Sequence, residues 1–241
     1  MSDEATHVPL LEVRGIHTYY GESHVLHGVD LSVLDGQVVA LLGRNGVGKT
    51  TTVRSIVGFT PPRRGDITFK GKQIAGLSAQ RIARRGISLV PQGRRVFGSL
   101  TVREHLKIFA TNGTSSAWDL DRVVSIFPRL GERLRQRAAA LSGGEQQMLA
   151  IGRALITNPD LLVIDEITEG LSPVLVQATG DVIRDLKERE RQTILLVEQN
   201  LPIALSLADY VYVMNKGAIV FEGLPEELEK SENIHSLYLG V

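Results

Sequence analysis

The eight residues Gly43-Arg44-Asn45-Gly46-Val47-Gly48-Lys49-Thr50 constrain this chain more than any other segment. They follow the apolar run Val38–Leu42 and precede a stretch that predicts a helix over 49–57, so a glycine-rich loop joins a buried strand to a helix. Glycines leave backbone N–H groups free to converge on phosphate oxygens, and the helix N-terminus adds partial positive charge. Lysine at that end opposes the helix dipole unless an anion is present. The segment therefore predicts a phosphate-binding loop. Gly43, Arg44, Asn45, Gly46, Val47, Gly48, Lys49, Thr50 and Thr51 would surround the phosphates, with Lys49 on the β- and γ-phosphates and the Thr50 hydroxyl on Mg²⁺.

The rest of the chain reads as an α/β fold. Strand-like runs at 10–13, 29–33 and 38–42 fill the opening, and Pro61 to Asp66 predicts a turn before a strand at 67–69. From about Ser78 to Leu155 the pattern is mostly helical, broken by the strand-like Ile87–Val90 and by the small, polar stretch Thr111 to Ser116. Strand 161–164, helix 173–190, strand 193–197, helix 201–208 and a hairpin through Asn215-Lys216-Gly217 follow. Strands alternating with helices predict a parallel sheet, whose ligands lie beyond the carboxyl ends of its strands. One domain over 1–241 is expected. Its nucleotide-binding core lobe covers approximately 1–90 and 156–241, and an inserted helical lobe approximately 91–155.

Leu161-Leu162-Val163-Ile164-Asp165-Glu166 brings two adjacent carboxylates to a strand's carboxyl end. Neighbouring strand residues point to opposite faces, so Asp165 is expected in the Mg²⁺ shell, through water, and Glu166 as the general base. Leu141-Ser142-Gly143-Gly144-Glu145 is a third signal. Ser142 and Glu145 have capping-box spacing, but capping does not call for two glycines, which weaken a first helical turn. Bare backbone there would let an anion approach closely.

Composition removes competing classes. Hydrophobic residues at 43% and charged residues at 22% are ordinary globular values, and 27 basic against 27 acidic residues leave no field favouring nucleic acid. Cysteine is absent, so thiolate metal sites are excluded. The opening MSDEATHVPL lacks the basic start and apolar core of a secretory signal. No apolar run reaches the roughly 18 to 20 residues that span a bilayer. A guanine-nucleotide switch needs an Asn-Lys-x-Asp string, and Asn215-Lys216-Gly217-Ala218 lacks the acid.

In this order the three motifs resemble an ABC-type ATPase domain, over Leu10 to about Gly223. The resemblance implies a P-loop NTPase with a mostly parallel core sheet, an N-terminal antiparallel β part and an inserted helical lobe. It implies ATP hydrolysis with ATP and Mg²⁺, in a head-to-tail pair where Ser142, Gly143, Gly144 and Glu145 of each subunit face the γ-phosphate held by the other. It gives Gln92 a role as ligand of Mg²⁺ or the attacking water, and Tyr20 a role stacking on adenine, against a competing place in the core. Two membrane permease subunits, indirectly a periplasmic or extracellular solute-binding protein, and a peripheral place on the cytoplasmic face of the membrane are implied as partners and location.

Three positions depart from the family pattern: Ile167 for proline, Ser172 for aspartate, and Gln199 where most relatives carry a histidine that contacts the γ-phosphate. Glutamine cannot become cationic. Gln199 either weakens hydrolysis in an unequal heterodimer, the preferred expectation, or is benign because Glu166 remains. Glu169-Gly170-Leu171, Glu198-Gln199-Asn200, Gly93-Arg94-Arg95-Val96-Phe97 and Ser236-Leu237-Tyr238-Leu239-Gly240 are similar to ATPase subunits of branched-chain amino acid importers. Urea and short-chain amide importers and non-transport ABC ATPases are the alternatives. Arg81, Arg84, Arg85, Arg94 and Arg95 form either a solvated face or, near Arg94 to Leu100, a docking surface for a membrane subunit.

Overall fold

The computed structural model describes residues 8–110 and 117–231, so the polar stretch Thr111 to Ser116 and the segment Ser236 to Gly240 lie outside the described residues. Two sheets organise the chain. The smaller has four strands, β1 (Leu11–Tyr20), β2 (Ser23–Val33), β4 (Arg64–Phe69) and β5 (Lys72–Gln73), in the antiparallel order β2-β1-β4-β5. The larger has six, β3 (Val38–Leu42), β6 (Ile87–Val90), β7 (Leu161–Asp165), β8 (Thr193–Glu198), β9 (Tyr210–Asn215) and β10 (Ala218–Gly223), in the order β10-β9-β3-β8-β7-β6. The β9-β3-β8-β7-β6 pairings are parallel, and β10 closes the edge as an antiparallel hairpin with β9.

Strand alternation sorts the large sheet's side chains into its layers. Leu161, Val163, Leu195, Val197, Val39 and Leu41 point to one face, where they pack with Val53 and Ile56 of α1 (Lys49–Ile56) and with the small sheet. Leu162, Ile164, Ile194 and Leu196 point to the other, where they meet Leu149, Ile151 and Leu155 of α6 (Gly143–Leu155). That second core continues through Val102 and Leu106 of α3 (Val102–Phe109), Val123 of α4 (Leu120–Ile126) and Leu130 of α5 (Pro128–Glu132), the helices between β6 and β7. A 3-10 turn at Ala138–Ala140 leads into α6. The remaining helices are α2 (Ala79–Ala83), α7 (Pro173–Glu188), α8 (Leu201–Leu207) and α9 (Pro225–Glu229).

One expectation changes. β1 and β2 are about twice the length the sequence suggested, because polar residues such as His17, Thr18, Tyr19 and His24 break up the apolar pattern along them. α2 places Ile82 in the core of the small-sheet face, apart from the helices after β6.

Candidate active site

The phosphate loop leaves β3 at Leu42 and enters α1 at Lys49. Gly48 takes the N-cap position at φ 119°, and a Cβ there would stand 2.9 Å from Leu26 Cδ2, so both backbone and space demand glycine. No side chain caps α1 and no acid lies in its first turn, so its leading N–H groups point outward without a side-chain partner. Beside them lies a cavity of about 180 Å³ lined by Val25, Gly46, Gly48, Lys49, Thr50, Thr51 and Glu166. Val25 of β2 is a member that sequence reasoning missed, since one valine in a strand carries no signal.

Lys49 is 3% exposed, and its ammonium donates to the carbonyls of Gly43 (2.7 Å) and Arg44 (3.0 Å). It also pairs with Glu166 Oε1 at 2.9 Å. The expected divergence of the two acids is corrected here. β7 ends at Asp165, and Glu166 lies beyond the strand with φ 47°, a left-handed backbone that overrides the alternation. Both carboxylates therefore converge on the first turn of α1, Glu166 on Lys49 and Asp165 on Thr50, whose hydroxyl donates to Asp165 Oδ1 at 3.4 Å.

Asp165 is 4% exposed. Desolvation first, then the neighbouring Glu166 charge, pushes its carboxyl up to about 6. A buried carboxylate balanced so poorly within the chain, beside the Thr50 hydroxyl, offers hard oxygen donors of the kind that suit Mg²⁺. Gln92 reaches the site through Glu166, its Nε2 donating to Glu166 Oε2 (2.9 Å) and to Glu169 Oε2 (2.6 Å). Sequence reasoning treated Glu169 only as a family marker. Beyond β8, Gln199 is exposed and lines a neighbouring recess of about 300 Å³ with Glu166, Thr168, Glu169, Glu198 and Asn200. In the sequence Glu198, too, carries only the family resemblance. It is buried, accepts from Thr168 N and Oγ1, Gln199 N and Asn200 N, and has its carboxyl pushed up chiefly by desolvation.

Tyr20 ends β1 and is 44% exposed, which removes the competing core placement. Ser142 caps α6, accepting from Glu145 N, while Glu145 Oε2 accepts from Ser142 N, so the capping box is complete. The two glycines also have reasons within the chain. A Cβ on Gly144 would stand 2.5 Å from Leu175 of α7, and one on Gly143 would stand 2.9 Å from the Arg94 guanidinium. Arg94 and Arg95 both adopt left-handed backbone, at φ 62° and 44°, and Arg153 of α6 donates to the Arg95 carbonyl at 2.8 Å. None of Ser142, Gly143, Gly144 and Glu145 lines the cavity at the phosphate loop.

Comparison with known proteins adds to this geometry. Residues 26–169 match the family described as ABC transporter. The high-affinity branched-chain amino acid transport ATP-binding protein BraG of Pseudomonas aeruginosa is 42% identical, covering 96% of this chain and 100% of the relative. The probable branched-chain amino acid transport ATP-binding protein LivF of Archaeoglobus fulgidus is 36% identical, covering 96% and 99%. Among solved structures, the ADP conformation of an ATP-binding cassette of an ABC transporter superposes with TM-score 0.83 at 29% identity, covering 97% of this chain and 100% of that one. A nucleotide-free cassette gives TM-score 0.80 at 30% identity, covering 95% and 96%. By the matched segment, by identity across nearly the whole length and by fold, the chain belongs to the ABC transporter family as an ATPase of the ATP-binding cassette type.

Proposed function

We propose that this chain is the ATP-hydrolysing subunit of a branched-chain amino acid importer, peripheral on the cytoplasmic face of the membrane. Relatives named for that transport, 42% and 36% identical across nearly their full length, support the substrate class. Among the described residues no helix is long and apolar enough to cross a membrane, so the path for solute belongs to other subunits.

The observation that carries the chemistry is the Lys49–Glu166 ion pair beside the uncapped end of α1. The first-turn N–H groups and Lys49 hold the phosphates of ATP, with Arg44, Asn45 and Thr51 along the loop and Tyr20 stacked on adenine. A polyphosphate drawn onto α1 competes for the Lys49 ammonium and so frees the Glu166 carboxylate. Glu166 then takes a proton from the water that attacks the γ-phosphorus, as the bond to the β-phosphate oxygen breaks and ADP and phosphate form. Thr50, Asp165 and Gln92 would hold Mg²⁺, which when bound supplies charge compensation on the phosphate oxygens.

The partner arrangement follows the same reading. Ser142, Gly143 and Gly144 of a second ATPase subunit close over the phosphates, and Glu145 holds that segment through the capping box. Gln199, unable to carry charge, makes this chain's own site the slower of an unequal pair. Restoring Gln199→His raises turnover of the assembled complex, and unchanged turnover removes the unequal-pair reading.

Permease subunits dock along Arg94 to Leu100, where Phe97 is 52% exposed. Arg95→Glu is expected to loosen that assembly while nucleotide affinity holds. The central test is uptake of labelled leucine by membranes carrying the complete complex. Lys49→Ala abolishes uptake and nucleotide binding together, and uptake that persists without Lys49 rejects the proposal.

A further inference from the structure

Gln92 makes two contacts that together fix more than its position. Its Nε2 lies 2.9 Å from Glu166 Oε2 and 2.6 Å from Glu169 Oε2. A primary amide offers two N–H donors on nitrogen and only acceptor lone pairs on oxygen, while a carboxylate oxygen accepts. Turning the amide over would set its carbonyl oxygen against two carboxylate oxygens with no hydrogen between them. The nitrogen therefore faces the acids, and Oε1 is turned away from them.

The two acids are not equivalent partners. Glu166 is shared with the buried Lys49 ammonium at 2.9 Å, so its carboxylate is not dedicated to the amide. Among the described residues Glu169 makes no hydrogen bond or ion pair with Lys49 or the phosphate loop. It sits in a short turn, with Glu169 N donating to the Glu166 carbonyl at 3.5 Å and Leu171 N to the Thr168 carbonyl at 3.2 Å, and this turn carries its side chain to Gln92.

We propose that Glu169 is a positioning residue for the ATPase: it locks the Gln92 amide so that the carbonyl oxygen, never the NH₂ group, is offered to Mg²⁺. The same bond ties the segment entering the helices after β6 to the segment leading into α7. This inference rests on the reading of Gln92 as a Mg²⁺ ligand.

The test is equilibrium binding of the non-hydrolysable ATP analogue AMP-PNP to the full chain, once with Mg²⁺ and once with excess EDTA. Wild type binds more tightly with Mg²⁺. Glu169→Ala is expected to lose about three- to tenfold of that Mg²⁺-dependent gain while its affinity in EDTA is unchanged, the scale of one partly exposed charged hydrogen bond. Glu169→Gln recovers part of the gain, because its amide can present either an acceptor or a donor. Glu169→Ala added to Gln92→Ala has no further effect, since the one acts through the other.

A Glu169→Ala chain with a wild-type gain overturns the proposal, as does an additive double variant, and in both cases the nucleotide site stands. Wild-type affinity that ignores Mg²⁺ overturns this proposal and the metal reading together. A Lys49→Ala chain that still binds the analogue in EDTA points to failure of the underlying site instead.

Discussion

Asp165 carries the clearest cost of the site at the level of one residue. Its carboxyl is pushed up to about 6 by desolvation and by Glu166. The folded chain therefore binds a proton more tightly than the unfolded chain, whose aspartate titrates near about 3.9. Stability is fully present below the unfolded value, falls as pH rises toward about 6, and stays lower above it. Asp165→Asn removes that loss. Urea denaturation in EDTA is expected to show the variant gaining on wild type between about pH 4 and 6, then holding an advantage on the order of 2 kcal/mol at pH 7.5. A difference that does not change with pH would refute the account. The same carboxylate shows how far sequence reaches: Asp165 and Glu166 were visible as a pair, but their convergence was not. That depends on the φ 47° backbone at Glu166, which no residue type there announces.

Between elements, small side chains and buried acids do the fastening. α6 approaches α7 so closely that Gly144→Ala would put a methyl 2.5 Å from Leu175 Cδ2. The expected cost is about 1 to 3 kcal/mol in denaturant unfolding, relieved by adding Leu175→Ala, which makes room for the methyl. Glu198 fastens the end of β8 to the stretch after β7 by accepting from Thr168 N and Oγ1. Glu198→Ala leaves those donors, with the N–H groups of Gln199 and Asn200, short of an acceptor. A loss of about 1 to 3 kcal/mol by the same measurement is expected. β3, β6, β7 and β8 were legible because they are short apolar runs bounded by turn residues or acids. The lengths of β1 and β2 were not, since a half-polar edge sheet lacks that contrast. The glycine pair at 143–144 was legible as unusual, yet its in-chain reasons, Leu175 and Arg94, lie far along the sequence and needed coordinates.

For the molecule as a whole, the helices after β6 do not form a core of their own. Val102, Leu106, Val123 and Leu130 belong to the same apolar body as Leu162, Ile164, Ile194 and Leu196 of the large sheet. Heating is therefore expected to give one calorimetric transition, with calorimetric and van't Hoff enthalpies in agreement, and two resolved transitions would contradict a shared core. The uncapped end of α1 reaches further than catalysis. Side chains close the ends of α3, α4, α6 and α8, from Thr101, Asp119, Ser142 and Asn200; α1, like α2, α5 and α7, has no such cap, and its end borders the cavity at the phosphate loop. A helix end that a bound nucleotide completes couples binding to folding, so the melting temperature is expected to climb with nucleotide concentration by mass action.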